Sequence, residues 1–290
     1  MASHLPEEAA QPSLSEELRA ATRQKHHALN GHIITRLPLC MPPHTNSPIS
    51  YAKGMTVFSQ IYLAFEELLA MHQAFSNERM RVIYDGIYIP QLLRTKRLGN
   101  DIALLKSRLP QKEVEELGVL DKQSKVFSWR IRDSLARRPH VMLAYTWTMY
   151  LALFNGGRWI RRQLASAGSH FWRGEVPPLS FWDFGVVDQD NLDEDQLKTA
   201  LKAKFGEAAS HLTDDERGDV VDETNRLFDL CSEMVDFLDQ GASVNCPIKG
   251  STSRFSPSKK SHHHQGAHRN LQDLHDLRIR VAQNNRKHTE

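Results

Sequence analysis

Residues 141–164 read VMLAYTWTMYLALFNGGRWIRRQL, and how this stretch is understood decides the fold. Its first part, Val141–Phe154, carries no charge. At 14 residues it falls short of the roughly 20 apolar residues that cross a bilayer, so it reads as a buried core helix. Asn155-Gly156-Gly157 then interrupts it. Each glycine costs a helix interior about 1 kcal/mol relative to alanine. Either the helix ends there and a second begins at Arg158, or one helix continues through a kink. In the second case its bare backbone must approach something flat and large. Ala152, one turn before Gly156, keeps the same face small.

Outward from this point the patterns are helical. Ser13 with Glu16 three residues later offers a capping box for a first helix carrying Leu14, Leu18, Ala21 and Leu29. The prolines of MPPHTNSPIS (41–50) impose a loop. Phe58, Ile61, Tyr62, Phe65, Leu68 and Leu69 then form an apolar stripe. Further helices are expected over 94–109, 123–136, 140–167, 193–210 and 214–238, with GEVPPLSFWDFG as the loop before the last two. No long β-branched alternation and no fixed-period repeat occurs. The expected fold class is all-α, a single helical domain over residues 13–240 after a flexible N-terminus (1–12).

The 290 residues include 37 Lys/Arg, 35 Asp/Glu and three cysteines. Cys40, Cys231 and Cys246 are too few and too scattered for a disulfide framework, so a reducing compartment is the expectation. From Gly241 onward nine Lys/Arg face three Asp/Glu, a net of +6, whereas the preceding 240 residues carry −4. The excess basic charge therefore belongs to a His-rich tail (241–290), expected to be largely disordered. It does not point to nucleic-acid binding by the folded part. The N-terminus lacks the basic and apolar segments of a signal peptide, and the tail has no apolar segment for a transmembrane anchor. A cytoplasmic monomer is expected, with peripheral attachment at the endoplasmic reticulum left open.

His26 shares a helical face with Thr22 and Leu29. On spacing alone a packed or partly exposed histidine is the commoner case, although neutral imidazole suits a haem iron whose opposite face stays open. Four segments in series resemble the haem oxygenase family: LSEELRAATRQKHHAL (14–29), IYLAFEELL (61–69), GIYIPQLLRTKRLGNDIALL (86–105) and YLALFNGGRWIRRQL (150–164). The last is most like the fungal, yeast-type branch. The resemblance implies a helical domain that holds haem between a proximal and a kinked distal helix. It implies O2-dependent cleavage to biliverdin, CO and ferrous iron, with electrons from NADPH through NADPH–cytochrome P-450 reductase or a similar flavoprotein. It places His26 at the proximal iron ligand and Arg19 at a propionate. Gly156 and Gly157 fall on the distal glycines, and Tyr62 on the tyrosine of a distal polar network. Lys198, Lys202 and Lys204 fall where the family supplies further propionate cations, and Lys204 is the one chosen. For each lysine, a solvated helix face is the commoner reading.

The chain departs from the family pattern where many members carry a distal carboxylate that orients water. That position is Leu153, which can neither hold water nor donate a hydrogen bond. Ala152 replaces a glycine and Met149 a basic residue; Asn155 and Thr148 are polar candidates nearby. The alternative is a non-catalytic haem-binding or haem-sensing protein on the same fold. A di-iron oxidase lacks the Glu-x-x-His pairs it needs beside Glu66 and Glu67. A thiamine-degrading enzyme would want a nucleophilic cysteine, and Cys231 reads as core. Arg158, Arg161 and Arg162, with Arg137 and Arg138, form a basic run that could steer an acidic reductase. Cys246-Pro247 and His262-His263-His264 are weak candidates for haem response and metal binding.

Overall fold

In the computed structural model, residues 12–71, 73, 77–184 and 193–240 are described, and among them every regular element is helical. Helix α1 (Leu14–Arg36) starts on the expected capping box: the Glu16 side chain accepts from the Ser13 backbone N–H at 2.8 Å. Only Leu14, Leu18 and Thr22 of its 23 residues are buried. Helix α2 (Ile49–Ala70) is the reverse case, with 14 buried positions spread around its surface, and it forms the central strut. Helix α3 (Glu78–Ile87) is capped by Asn77, whose side chain accepts from the Met80 N–H at 3.1 Å. Helices α4 (Thr95–Arg108) and α5 (Gln111–Arg137) follow, and α5 begins twelve residues before the helix expected at 123.

The stretch 141–164 resolves as one continuous run. Helix α6 (Met142–Ala152) passes through a π-helical turn (Leu153–Gly157) into α7 (Arg158–Ala165). The helix therefore does not end at the glycines but continues through them as a π-turn. A short helix α8 (Gly168–Trp172) precedes α9 (Glu194–Ala209) and α10 (Asp214–Asp239), both opened by capping boxes at Asp193 and Thr213. In the contact pattern α2 lies against α5, α1 against α10 and α3 against α9, while α6 touches α9 and α10. No helix among the described residues is long and apolar enough to cross a membrane. Cys246-Pro247 and the histidine triplet lie outside the described residues.

Two buried charges fix the segment behind the π-turn. The Arg94 guanidinium is fully buried and donates to the carbonyls of Leu92 (2.8 Å) and Asp183 (2.6 Å), lying 4.5 Å above the Phe184 ring. Burial without a directly paired carboxylate pulls its pKa down to about 10. Asp101 accepts from the N–H groups of Ser180 (3.0 Å) and Phe181 (2.7 Å). Glu66, raised by burial, accepts from the N–H of Arg94 and Thr95 and from the Tyr150 hydroxyl. Glu66 is thereby committed to caps and packing, which removes it from any di-iron site. The described residues contain no cluster of metal-binding side chains.

Candidate functional site

Between α1 and the π-turn lies a cavity of about 930 Å³, at the upper end of the ~300–1,000 Å³ range of small-molecule pockets. It is closed at the back by α2 and α10 and flanked by α9.

His26 lines the cavity from α1 and is exposed to it, its ring edge resting on Phe228 with centroids 5.9 Å apart. The small buried row of α1 explains this placement. Thr22, one turn earlier, donates its hydroxyl to the Leu18 carbonyl at 2.7 Å, so its polar atom is spent within the helix. Only the imidazole is offered to the cavity at that level.

The opposite wall is the π-turn. Leu153, Asn155, Gly156 and Gly157 all line the cavity. A Cβ on Gly157 would come within 3.4 Å of the Trp182 ring and of the Ala152 carbonyl, whereas a Cβ on Gly156 would meet no atom within 4 Å. The two glycines thus act differently: Gly157 lets Trp182 pack behind the turn, and Gly156 presents bare backbone to the cavity. Trp182 is held by its indole N–H, which donates to Tyr51 at 2.9 Å. Phe154 is buried and stacks on Phe184 at 4.3 Å.

Tyr62 lines the back wall and its hydroxyl donates to the Met149 carbonyl at 3.2 Å. Burial, reinforced by Glu66, holds its pKa well above the ordinary value, so the phenol keeps its proton. Cys231 is a core residue as expected, but it also lines the cavity, and burial pushes its thiol up to about 12.

Besides Arg36 and Lys53, which pair with Asp239 and Glu116, four cations line the cavity: Arg19 and Arg23 from α1, Lys198 and Lys202 from α9. None of them has a carboxylate within ion-pair distance among the described residues, although Arg19 sits 5.9 Å over the Trp147 ring and Lys198 donates to the Asn155 carboxamide at 2.8 Å. Lys204, the lysine chosen from sequence, is exposed and absent from the lining. Two residues beyond Lys202 it is turned by about 200° on the helix. Arg23 and Trp147 were not singled out in the sequence; for Arg23 the signal was its position one turn after Arg19.

The basic run around the kink does not form an unpaired patch. Arg158 pairs with Glu194 (2.6 Å) and Asp195 (2.7 Å), Arg161 with Asp183 (3.1 Å), Arg137 with Asp133 (2.5 Å) and Arg138 with Glu223 (2.6 Å). Most of the charge expected to steer a partner is thus neutralised within the protein.

The residues present suit haem by their own chemistry. An imidazole faces bare glycine backbone across an apolar cavity, and the unneutralised cations match a ligand that ends in carboxylates. Fold and site together define an α-helical protein with one apolar cavity lined by a histidine, bare glycine backbone and unpaired cations. The family model described as "Heme oxygenase" matches residues 12–236. The chain belongs to the haem oxygenase family. It is 24% identical over 229 residues to "Heme oxygenase 1" of the cyanobacterium Nostoc sp. (strain PCC 7120), a match covering 78% of this chain and 86% of that one. Among solved structures it resembles heme oxygenase-1 from Synechocystis sp. PCC6803 in complex with heme, with a TM-score of 0.57, 21% identity and coverage of 79% and 93%. It also resembles heme oxygenase 2 from Chlamydomonas reinhardtii without heme, with a TM-score of 0.58, 16% identity and coverage of 78% and 97%.

Proposed function

We propose that this protein binds haem through His26 and cleaves it oxidatively to biliverdin, carbon monoxide and ferrous iron. Haem is the substrate and itself supplies the iron at which O2 is reduced. The carrying observation is that His26 and Gly156 line one cavity in which four of the lining cations lack carboxylate partners.

His26 contributes a ring nitrogen to the iron. Arg19, Arg23, Lys198 and Lys202 hold the propionates, a set that includes both α9 lysines of the cavity and leaves Lys204 out. Charge-assisted hydrogen bonds of this kind are roughly twice as strong as neutral ones, so they fix the rotation of the macrocycle and with it the edge presented to the distal wall. Gly156 lets that wall lie close and Gly157 lets Trp182 support it from behind, while Leu153 keeps it apolar and sheds water. Tyr62 remains protonated behind it. No carboxylate stands at position 153, so proton supply runs through other groups, a feature shared with the fungal-type pattern LALF-x-GG. Electrons come from NADPH through a flavoprotein reductase, to a monomer working in the cytoplasm and serving haem catabolism and iron homeostasis.

The test is a haemin titration of the purified protein, followed by NADPH and a cytochrome P-450 reductase. A sharp Soret band that decays as bilin absorbance rises, and that is lost in His26→Ala, is the expected result. A stable Soret band without bilin would instead assign haem binding without turnover. No Soret band would end the haem reading.

A further inference from the structure

The wall that faces the cavity from Ala152 to Gly157 contains a single polar side chain, Asn155. Its carboxamide oxygen is taken by the Lys198 ammonium at 2.8 Å, and its amide nitrogen has no partner among the described residues. Lys198 is unlike its neighbours in this respect. Arg158 and Arg161, one and two turns further along the same wall, are bound by Glu194, Asp195 and Asp183, which cancel their charge. Asn155 holds Lys198 without cancelling anything.

We infer that Asn155 is a positioning residue that exchanges partners. It holds Lys198 until a ligand carboxylate takes the ammonium, and the freed carboxamide then serves as the hydrogen-bond donor of the distal wall, where Leu153 offers none.

The order of strengths drives the exchange. An ammonium–carboxylate bond has charge on both sides, whereas the Lys198–Asn155 bond has it on one, so an arriving carboxylate displaces the amide. Lys202, one turn along α9 and facing the same cavity, adds a like charge that favours bringing an anion to this place. Once released, Asn155 sits in the π-turn between Leu153 and Gly156. The other polar candidate there, Thr148, also lines the cavity, but its hydroxyl is covered by its surroundings and has no hydrogen-bond partner, whereas Asn155 is exposed and already bonded to Lys198. Recognition of the carboxylate end of the ligand is in this way linked to the polarity of the opposite wall.

The inference rests on the haem reading, and the experiment separates the two. Ferric protein is loaded with protohaem, or with its dimethyl ester, which has no free carboxylate. The pH midpoint at which iron-bound water becomes hydroxide is read from the Soret band. A donor to the hydroxide lowers that midpoint, so Asn155→Leu is expected to raise it by about one pH unit with protohaem, and Asn155→Gln, which keeps the carboxamide, to restore most of the shift. With the dimethyl ester, Lys198 stays on Asn155 and the wild-type midpoint should match that of Asn155→Leu. Lys198→Ala, which frees the carboxamide, should bring it back down. Equal wild-type midpoints for the two porphyrins, or no shift in an Asn155→Leu complex with a normal Soret band, would overturn the exchange alone. Absence of any Soret band in the wild type would overturn the haem reading and the exchange with it.

Discussion

Gly156→Ala should move stability and ligand affinity in opposite directions. The added methyl meets no protein atom within 4 Å, so it introduces no clash, and Gly156 is not at positive φ. Replacing glycine by alanine inside a helix recovers up to about 1 kcal/mol of backbone entropy. For a domain of this size that corresponds to a rise in Tm of roughly 2–4 °C. The same methyl projects into the cavity from the wall that the porphyrin must approach, and overpacking of a close contact costs about 1–3 kcal/mol. Haemin affinity should therefore fall by about one order of magnitude, since 1.4 kcal/mol is tenfold. Thermal unfolding of haem-free protein and a Soret titration measure the two quantities on one preparation. A variant that gains stability yet binds haemin as tightly as wild type would refute the placement of Gly156 against the ligand. A variant that loses stability would refute the reading of the turn as unstrained.

Other perturbations separate the roles of charged groups. Lys198→Ala and Lys202→Ala should each weaken haemin binding several-fold with little change in Tm, and Lys204→Ala should change neither; Soret titrations at low and high salt check this. Arg138→Met strips the buried Glu223, whose other oxygen accepts from Tyr145 at 2.6 Å, of its 2.6 Å ion pair, leaves it only Arg226 at 3.5 Å, and should cost about 2 kcal/mol in urea unfolding. Glu216 is held down to about 2 by the two 2.6 Å hydrogen bonds from Arg79, against an ordinary 4.5. A carboxyl with a depressed folded-state pKa stabilises fully above its unfolded value and loses that contribution as pH falls through the folded one. The stability gap between wild type and Glu216→Gln should accordingly be full above about pH 4.5 and close toward pH 2, read from Tm against pH.

The helices that announce themselves chemically were readable in advance. The capping box at Ser13 marks the start of α1, the uncharged run before Asn155 marks α6, and the last two helices begin where they were expected, on capping boxes that the structure shows at Asp193 and Thr213. The first half of α5 was missed because QKEVEELGVLDK buries only Leu117 and Leu120, too sparse an apolar row to show a period. Helix α8 is five residues long and has no period at all. At the site, His26 and the glycines were named through the family resemblance, which also brought up Lys198, Lys202 and Lys204 together but could not choose among them. On α9 the buried row is Leu197, Leu201 and Phe205. Lys198 and Lys202 each follow a member of that row, while Lys204 precedes one. The two sets occupy opposite flanks of a single stripe, and only the packing of α9 against α3 and α6 decides which flank turns to the cavity. The pairing of Lys198 with Asn155, 43 residues apart, and the neutralisation of Arg158 and Arg161 are likewise tertiary facts.

Helix α1 buries three residues near its start, and the turns beyond Thr22 lean their apolar side chains, Leu29 and Ile33 among them, over the cavity. That half of the helix is tied to α10 by the Lys25–Asp229 and Arg36–Asp239 ion pairs, and on the haem reading the porphyrin would supply its remaining apolar contact. The ligand is then a detachable piece of the core. The free energy of ordering the second half of α1 should grow with the logarithm of haem concentration, and cleavage, by destroying the flat ring, would dissolve the packing that keeps this wall shut. Product escape and the loosening of α1 would be one event, timed by the reaction itself.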